Sequence, residues 1–276
     1  RPGILNNNFG GQGPDKANGA AAASEESLRY RLATVVDGKK GGPANVDVVL
    51  AATSLYTTND PYRNGLHGRL LQVSLEPGKT VDLEMRLRHA VSGVPVPAKE
   101  LVLFALDLDE GSLGSSRTAL SVDGYEEAFL SKTAAIKKVS FGSQTPWFLS
   151  QNWSTSPDGP RDCCNGLTAA QRDKMIAFRF VDVDTVPLRL HVSHGEQPHD
   201  FIFAVKACMS CGQGMIEVAK QRGGLEAMAA GKTIQQSQMQ KAAVGETASP
   251  SGSSAPQSGG FQTLLWSVGD LVHRIP

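Results

Sequence analysis

The sequence has no surplus of charge of either sign: Lys and Arg total 27, and so do Asp and Glu. A nucleic-acid binder shows a basic excess, because neutralised phosphates supply much of its affinity. The balance argues against that class of partner, and no nucleic acid is expected. No run approaches the roughly 20 apolar residues that a membrane-spanning helix needs, so no transmembrane segment is expected in this chain. The chain opens on Arg1 with no signal peptide before it, as a mature chain or a fragment of a larger multidomain protein would. GxSxG, HExxH, phosphate-loop and GxGxxG signatures are missing. Their lack weakens the case for an enzyme, and no catalytic residue is assigned.

What the sequence does have is turns and alternation. With 29 glycines and 15 prolines it suits many short elements rather than long helices. In VDLEMRLR, Val81, Leu83, Met85 and Leu87 alternate with Asp82, Glu84, Arg86 and Arg88, the period of a half-buried strand. In VPLRLHVSH, Val186, Leu188, Leu190 and Val192 alternate with Arg189, His191 and Ser193. Further strands are expected at 45–56, 69–75, 101–109, 135–141, 174–184 and 200–207, separated by turns such as Glu76-Pro77-Gly78 and Asp123-Gly124. Short helices are expected at 125–131 and 168–174, the second with Thr168 as N-cap and Gln171 three residues on. The pattern predicts an all-β fold, an antiparallel β-sandwich of jelly-roll type with short helices.

Composition divides the chain further. Residues 1–26 read as a flexible leader and 27–212 as the β-sandwich domain. Residues 213–230 read as a short helical extension interrupted by Gly223-Gly224, and 231–260 as a Ser/Gly/Pro/Gln-rich linker. Residues 261–276 form an amphipathic tail, the start of a truncated next unit or a docking segment.

The stretches NVDVVLAATSLYTTNDPYRNGLHGRLLQVSLEPGKTVDLEMRL, LVLFALDLDEG, VDGYEEAFL and CCNGLTAAQRDKMIAFRF fall within residues 45–207. Together they resemble an uncharacterised β-rich repeat domain of large secreted or surface proteins of algae and protists. The segment from Tyr56 to Asn64-Gly65 and the Asp107-x-Asp109 strand end carry most of that resemblance. It implies an extracellular β-sandwich and supplies no catalytic residues.

The four cysteines form a vicinal pair, Cys163-Cys164, and a CMSC motif with Cys208 and Cys211. Neighbouring side chains on extended backbone diverge, which makes joint ligation of one tetrahedral ion awkward and favours two disulfides between the pairs. Zinc binding and reduced or redox-active thiols are the alternatives. Oxidised cysteines place the protein outside the cytosol. The sequon Asn152-Trp153-Ser154 makes Asn152 a glycosylation candidate.

Two strand ends are acidic. On a regular strand Asp107 and Asp109 project to one face about 7 Å apart, with Glu110 at the following turn. FRFVDVDT repeats the arrangement with Asp182 and Asp184. If they converge, these five carboxylates are a candidate Ca²⁺ site, the only cofactor expected. The plainer reading has them meeting water or pairing with Arg86, Arg88 or Arg179. His191, His194 and His199 around one turn are a weaker zinc or copper candidate. In SQTPWFLSQNWSTS, Trp147 and Trp153 can stack on a pyranose ring, or Trp147 and Phe148 can close the end of the core.

These readings point to a noncatalytic extracellular or cell-surface module for adhesion or structural interaction, with a glycan or a surface protein as partner. A carbohydrate-binding module using Trp147 and Trp153 is the alternative. An enzyme of unrecognised type using Asp107 and Asp109 is a second alternative.

Overall fold

The computed structural model describes residues 3–15, 26–32, 46–58, 60–111, 114–142, 144–151, 159–161, 167–195 and 199–209, and the backbone alone of 35–36 and 225–228. Its strands in chain order are β1 (Ile4–Asn7), β2 (Ser27–Arg31), β3 (Val35–Val36), β4 (Val46–Ala52), β5 (Gly65–His67), β6 (Leu70–Leu75), β7 (Thr80–His89) and β8 (Ala98–Leu106). They continue with β9 (Thr118–Val122), β10 (Glu127–Ser131), β11 (Ile136–Val139), β12 (Trp147–Ser150), β13 (Ile176–Val183), β14 (Thr185–Val192), β15 (His199–Cys208) and β16 (Leu225–Met228). A single α-helix among the described residues, α1 (Ala169–Asp173), precedes β13.

Two sheets result. The first runs β1-β2-β4-β7-β14-β9-β12-β11 and the second β16-β10-β13-β8-β15-β6-β5, with β3 added in parallel on β15. All the other pairings are antiparallel, and β6 to β10 alternate between the two sheets along a jelly-roll-like path. This is the all-β sandwich that the alternation predicts.

The core lies between the sheets. In β7, Val81, Leu83, Met85 and Leu87 are buried while Asp82, Glu84, Arg86 and Arg88 face out. Phe148 from the first sheet meets Phe178 from the second edge-on, with ring centroids 5.2 Å apart. Each such phenylalanine contributes about 3 kcal/mol of apolar burial at most.

The second sheet differs from the first in being apolar on both faces. Leu101, Leu103 and Ala105 of β8 point into the main core. Val102, Phe104 and Leu106 belong to a separate buried cluster with Phe129, Met175 and Ile202. Near that cluster, Gly159 approaches Ile202 so closely that a Cβ would lie 2.9 Å from its Cδ1.

Several local expectations are corrected. Residues 127–131 form strand β10, not a helix: Ala128 and Leu130 enter the main core and Phe129 the second cluster, so EAFL is a two-sided strand whose apolar run hides its period. The helix expected at 168–174 forms as α1, with Thr168 and Gln171 completing a capping box.

The leader is not all flexible. Strand β1 pairs with β2, and Phe9 is fully buried 4.6 Å from the Tyr56 ring. Its asparagines do structural work, since Asn7 Nδ2 donates to Asn64 O at 2.9 Å. In the extension expected to be helical, Leu225–Met228 is strand β16 paired with β10. The rest of 213–230, the linker and the tail lie outside the described residues.

The motif from Tyr56 to Asn64 is a polar knot under β6. The Tyr56 hydroxyl donates to Ser74 O at 2.5 Å and lies 3.0 Å from Asn64 Oδ1, which also accepts from Ser74 N.

Candidate functional site

The outer face of the first sheet carries a groove of about 630 Å³. Register builds it. Arg189 of β14 stands opposite Asp82 of β7 and Ser121 of β9, and Ser121 stands opposite Trp147 of β12. Asp82, Arg189, Ser121 and Trp147 thus form one row across four strands, flanked by Glu84, Asp123 and Gln144. Arg189 Nε donates to Asp82 Oδ1, and both side chains stay about half exposed. An exposed pair of this kind adds little stability, so its polar atoms are available to a ligand.

Trp147 is 6% exposed and presents only part of its ring to the groove. Its indole stands edge-on to His191 with centroids 6.3 Å apart. The orientation follows from strand alternation: Phe148 enters the core, so Trp147 faces out. His191 is buried beside it, with Nδ1 2.8 Å from Thr80 Oγ1 and Nε2 without a hydrogen-bond partner. Burial pushes its pKa down to about 4, so the imidazole is neutral. His191 alternates onto the polar face of its strand, as the sequence predicts, yet it is covered there.

The first acidic strand end is a closed network. Asp107 takes a left-handed backbone at φ 58°, so Asp107 and Asp109 are not two successive outward positions of a regular strand. Lys174, just past α1, fills the space between them: Nζ lies 3.1 Å from Asp109 Oδ2 and 3.7 Å from Asp107 Oδ1. The Leu108 amide donates to Lys174 O at 3.0 Å and holds the lysine in register with both acids.

On its other oxygen Asp109 faces His199 Nδ1 at 3.5 Å, and His199 Nε2 meets Ser116 Oγ at 2.5 Å. Burial, then the neighbouring Asp109, raises the Asp107 pKa. Burial likewise raises that of Glu110, whose carboxylate forms an ion pair with Arg117 Nε at 2.9 Å without hydrogen-bond alignment. Ser116, His199 and Asp109 are ordered as in a hydrolytic relay. Ser116 is nevertheless 0% exposed, so no substrate carbonyl reaches it.

The second acidic end lies elsewhere. Asp182 pairs with Lys99 at 2.6 Å, and both side chains are exposed. Asp184 accepts from Thr185 Oγ1 at 2.9 Å. Because β13 runs antiparallel to β8, Val183 pairs with Ala98 at the start of β8, whereas Asp107 follows its end. Nine residues of strand, or about 30 Å at the usual rise, separate the two acid pairs. The expected joint calcium site of Asp107, Asp109, Glu110, Asp182 and Asp184 therefore does not assemble. Among the described residues no three His, Cys, Asp or Glu side chains are grouped to hold an ion. The expected arginine partners differ as well: Arg179 pairs with buried Glu100 and with Glu127, and Arg86 with Glu84.

Cys208 is buried at the end of β15 and is not a free thiol. Cys163, Cys164, Cys211, Trp153 and Asn152 lie outside the described residues. Among the described residues no helix is long and apolar enough to cross a membrane.

No family model and no curated protein matches this chain. Among solved structures it is similar to the N-terminal domain of the Streptococcus gordonii adhesin Sgo0707, at 11% identity and TM-score 0.41 over 64% of this chain and 47% of that one. It is also similar to the glucan binding protein C of Streptococcus mutans, described as mediating sucrose-independent and sucrose-dependent adherence. That match has 10% identity and TM-score 0.38 over 67% of this chain and 58% of the other. The chain thus spans about half the length of these neighbours. At this level the likeness bears on neither ligand nor activity.

Of the residues that shape the two sites, Trp147, Asp107, Asp109 and Glu110 stand out in the sequence. Lys174, Ser116 and Arg117 do not. The signal for Asp82 and Arg189 was the outward face of their alternating strands, which marks both as exposed but not as partners.

Proposed function

We propose that the domain is a noncatalytic binding module of the extracellular space or cell surface, and that it recognises carbohydrate in the groove on its first sheet. The observation that supports this reading is the row Asp82, Arg189, Ser121 and Trp147. Sugar hydroxyls both donate and accept, and neighbouring pairs of them suit planar carboxylate, amide and guanidinium groups that bond in two places. Asp82, Glu84, Asp123, Gln144 and Arg189 provide such groups along the groove. The apolar C–H side of a pyranose packs against an aromatic edge such as that of Trp147. Because Asp82, Glu84, Arg189, Ser121 and Trp147 stand on strands, little order has to be created on binding. The buried Cys208, which is not a free thiol, supports the extracellular part of the reading.

The test is a glycan array followed by titration of the best ligand. Asp82→Asn is expected to weaken binding about tenfold or more, since a hydrogen bond to a charged group contributes about 1.5–3 kcal/mol. Lys99→Met, in a different ion pair, is expected to leave binding unchanged. An array with no bound glycan, or a ligand indifferent to both Asp82→Asn and Glu84→Gln, overturns the proposal.

A further inference from the structure

We infer that Lys174 and Asp109 are chemically competent to condense into an intramolecular isopeptide bond that ties the α1–β13 junction to the end of β8. The placement is that of a bond-forming pair. Lys174 Nζ lies 3.1 Å from Asp109 Oδ2, an ion-pair contact that holds the nitrogen beside the carboxyl whose Cγ it attacks. The lysine side chain is only 8% exposed. Its backbone is fixed by the hydrogen bond from the Leu108 amide, so the approach is held rather than sampled. Ordering of this kind replaces the entropy cost of a bimolecular encounter, and exclusion of water slows the reverse hydrolysis.

The rest of the network supplies the proton handling. Asp107 Oδ1 stands 3.7 Å from the same Nζ and is the base that takes the ammonium proton. Burial and the adjacent Asp109 make Asp107 the carboxyl that holds a proton more readily, so it can also return that proton to the leaving oxygen. On the far side, His199 Nδ1 faces Asp109 Oδ1 at 3.5 Å. Ser116 Oγ, at 2.5 Å from Nε2, orients the ring so that Nδ1 carries the hydrogen and stabilises charge building on that oxygen.

The step balances without a co-reactant. Nζ of Lys174 gives one proton to Asp107 and attacks Asp109 Cγ as the neutral amine. It gives up a second after the C–N bond forms, and Asp107 passes both in turn to the departing Oδ2. The Cγ–Oδ2 bond breaks, and one water leaves. The ammonium and carboxylate become a secondary amide, and nothing is oxidised or reduced. Ser116, His199 and Asp107 are positioning and proton-transfer groups around a single-turnover reaction, which needs no access for an outside substrate. That suits the complete burial of Ser116.

The readout is intact-mass spectrometry of the folded full chain after reduction and alkylation. The expected mass is lower than that of the sequence by one water. Proteolysis is expected to yield one branched peptide joining the segments that contain residues 109 and 174. Lys174→Met should restore the full sequence mass. Asp107→Asn, which keeps the lysine and the acceptor, should leave most of the chain unlinked. A wild-type chain at full sequence mass overturns the inference, even if the Lys174 variant fails to fold. Loss of water mapped to any other pair overturns it too.

Discussion

Leu106-Asp107-Leu108-Asp109 at the end of β8 and Val181-Asp182-Val183-Asp184 at the end of β13 share the same alternation. In both, the first aspartate adopts a left-handed backbone, at φ 58° and 51°. Aspartate tolerates that region better than most residues, because its short polar side chain can bond locally. From there the two diverge. The first end is enclosed by Lys174, arriving from α1, and by His199, which opens β15. The second leads through Asp184 directly into β14, and its ionic partner among the described residues, Lys99, is exposed. The motif thus specifies a backbone turn at both places, and its chemistry comes from chain segments distant in sequence.

The sharpest way to break this comparison is to remove the two lysines. In unlinked chain, Lys174→Met leaves Asp107 and Asp109 facing each other in a largely closed site, and removing one partner of a buried pair costs about 3 kcal/mol. Lys99→Met should cost about 0.5 kcal/mol or less, because the pair is exposed and screened. Urea midpoints of the two variants against wild type measure both. Equal costs would mean that the two ends are environments of the same kind.

This contrast also explains what was legible beforehand. The outward row of β7 was plain from VDLEMRLR, and so was the apolar two-sidedness of LVLFAL. Which outward residues meet was not, because Arg189 and Asp82 are 107 positions apart and only register joins them. Trp147 stands out in SQTPWFLSQNWSTS as an aromatic, but that it begins strand β12 does not show, because a four-residue element is too short for a clear period. Thr168 announced α1, but the lysine after that helix carried no mark of its role. The two acid pairs read as one site because a sequence does not reveal that their strands run in opposite directions. The left-handed φ at the first aspartate is equally invisible there, and it undoes the shared-face reading.

A smaller effect separates the ends by pH. Burial first, then Asp109, raises Asp107 above its ordinary 3.8, while Lys174 and His67 act in the opposite sense. Between 3.8 and the raised value, the native state binds more protons than the unfolded chain. Stability from this group is therefore full below 3.8 and falls as pH rises through the folded pKa. Asp107→Asn should remove that fall, and Asp182→Asn should leave it in place. Urea midpoints taken from just below pH 3.8 upward, at fixed ionic strength, read the difference. A slope unchanged by Asp107→Asn would assign the effect to Glu110, whose pKa burial also raises.

The smallest effect isolates what the two ends have in common. Asp182→Ala and Asp182→Gly both delete the carboxylate that meets Lys99, so that loss cancels between them. What remains is the backbone at φ 51°. Alanine keeps a Cβ without aspartate's local hydrogen bonding, and the left-handed region costs it about 1 kcal/mol. Glycine escapes that strain, although its freer unfolded chain returns roughly 0.5–1 kcal/mol of the gain. The alanine variant should therefore be the less stable by a few tenths of a kcal/mol, with the glycine variant near wild type. The same alanine-minus-glycine difference is expected at Asp107, on top of a much larger shared loss from its network with Lys174 and Asp109. Equal differences with unequal totals would separate the two contributions, a common turn and a private environment. An Asp182→Gly variant as unstable as Asp182→Ala would show that the left-handed turn is not what the two strand ends share.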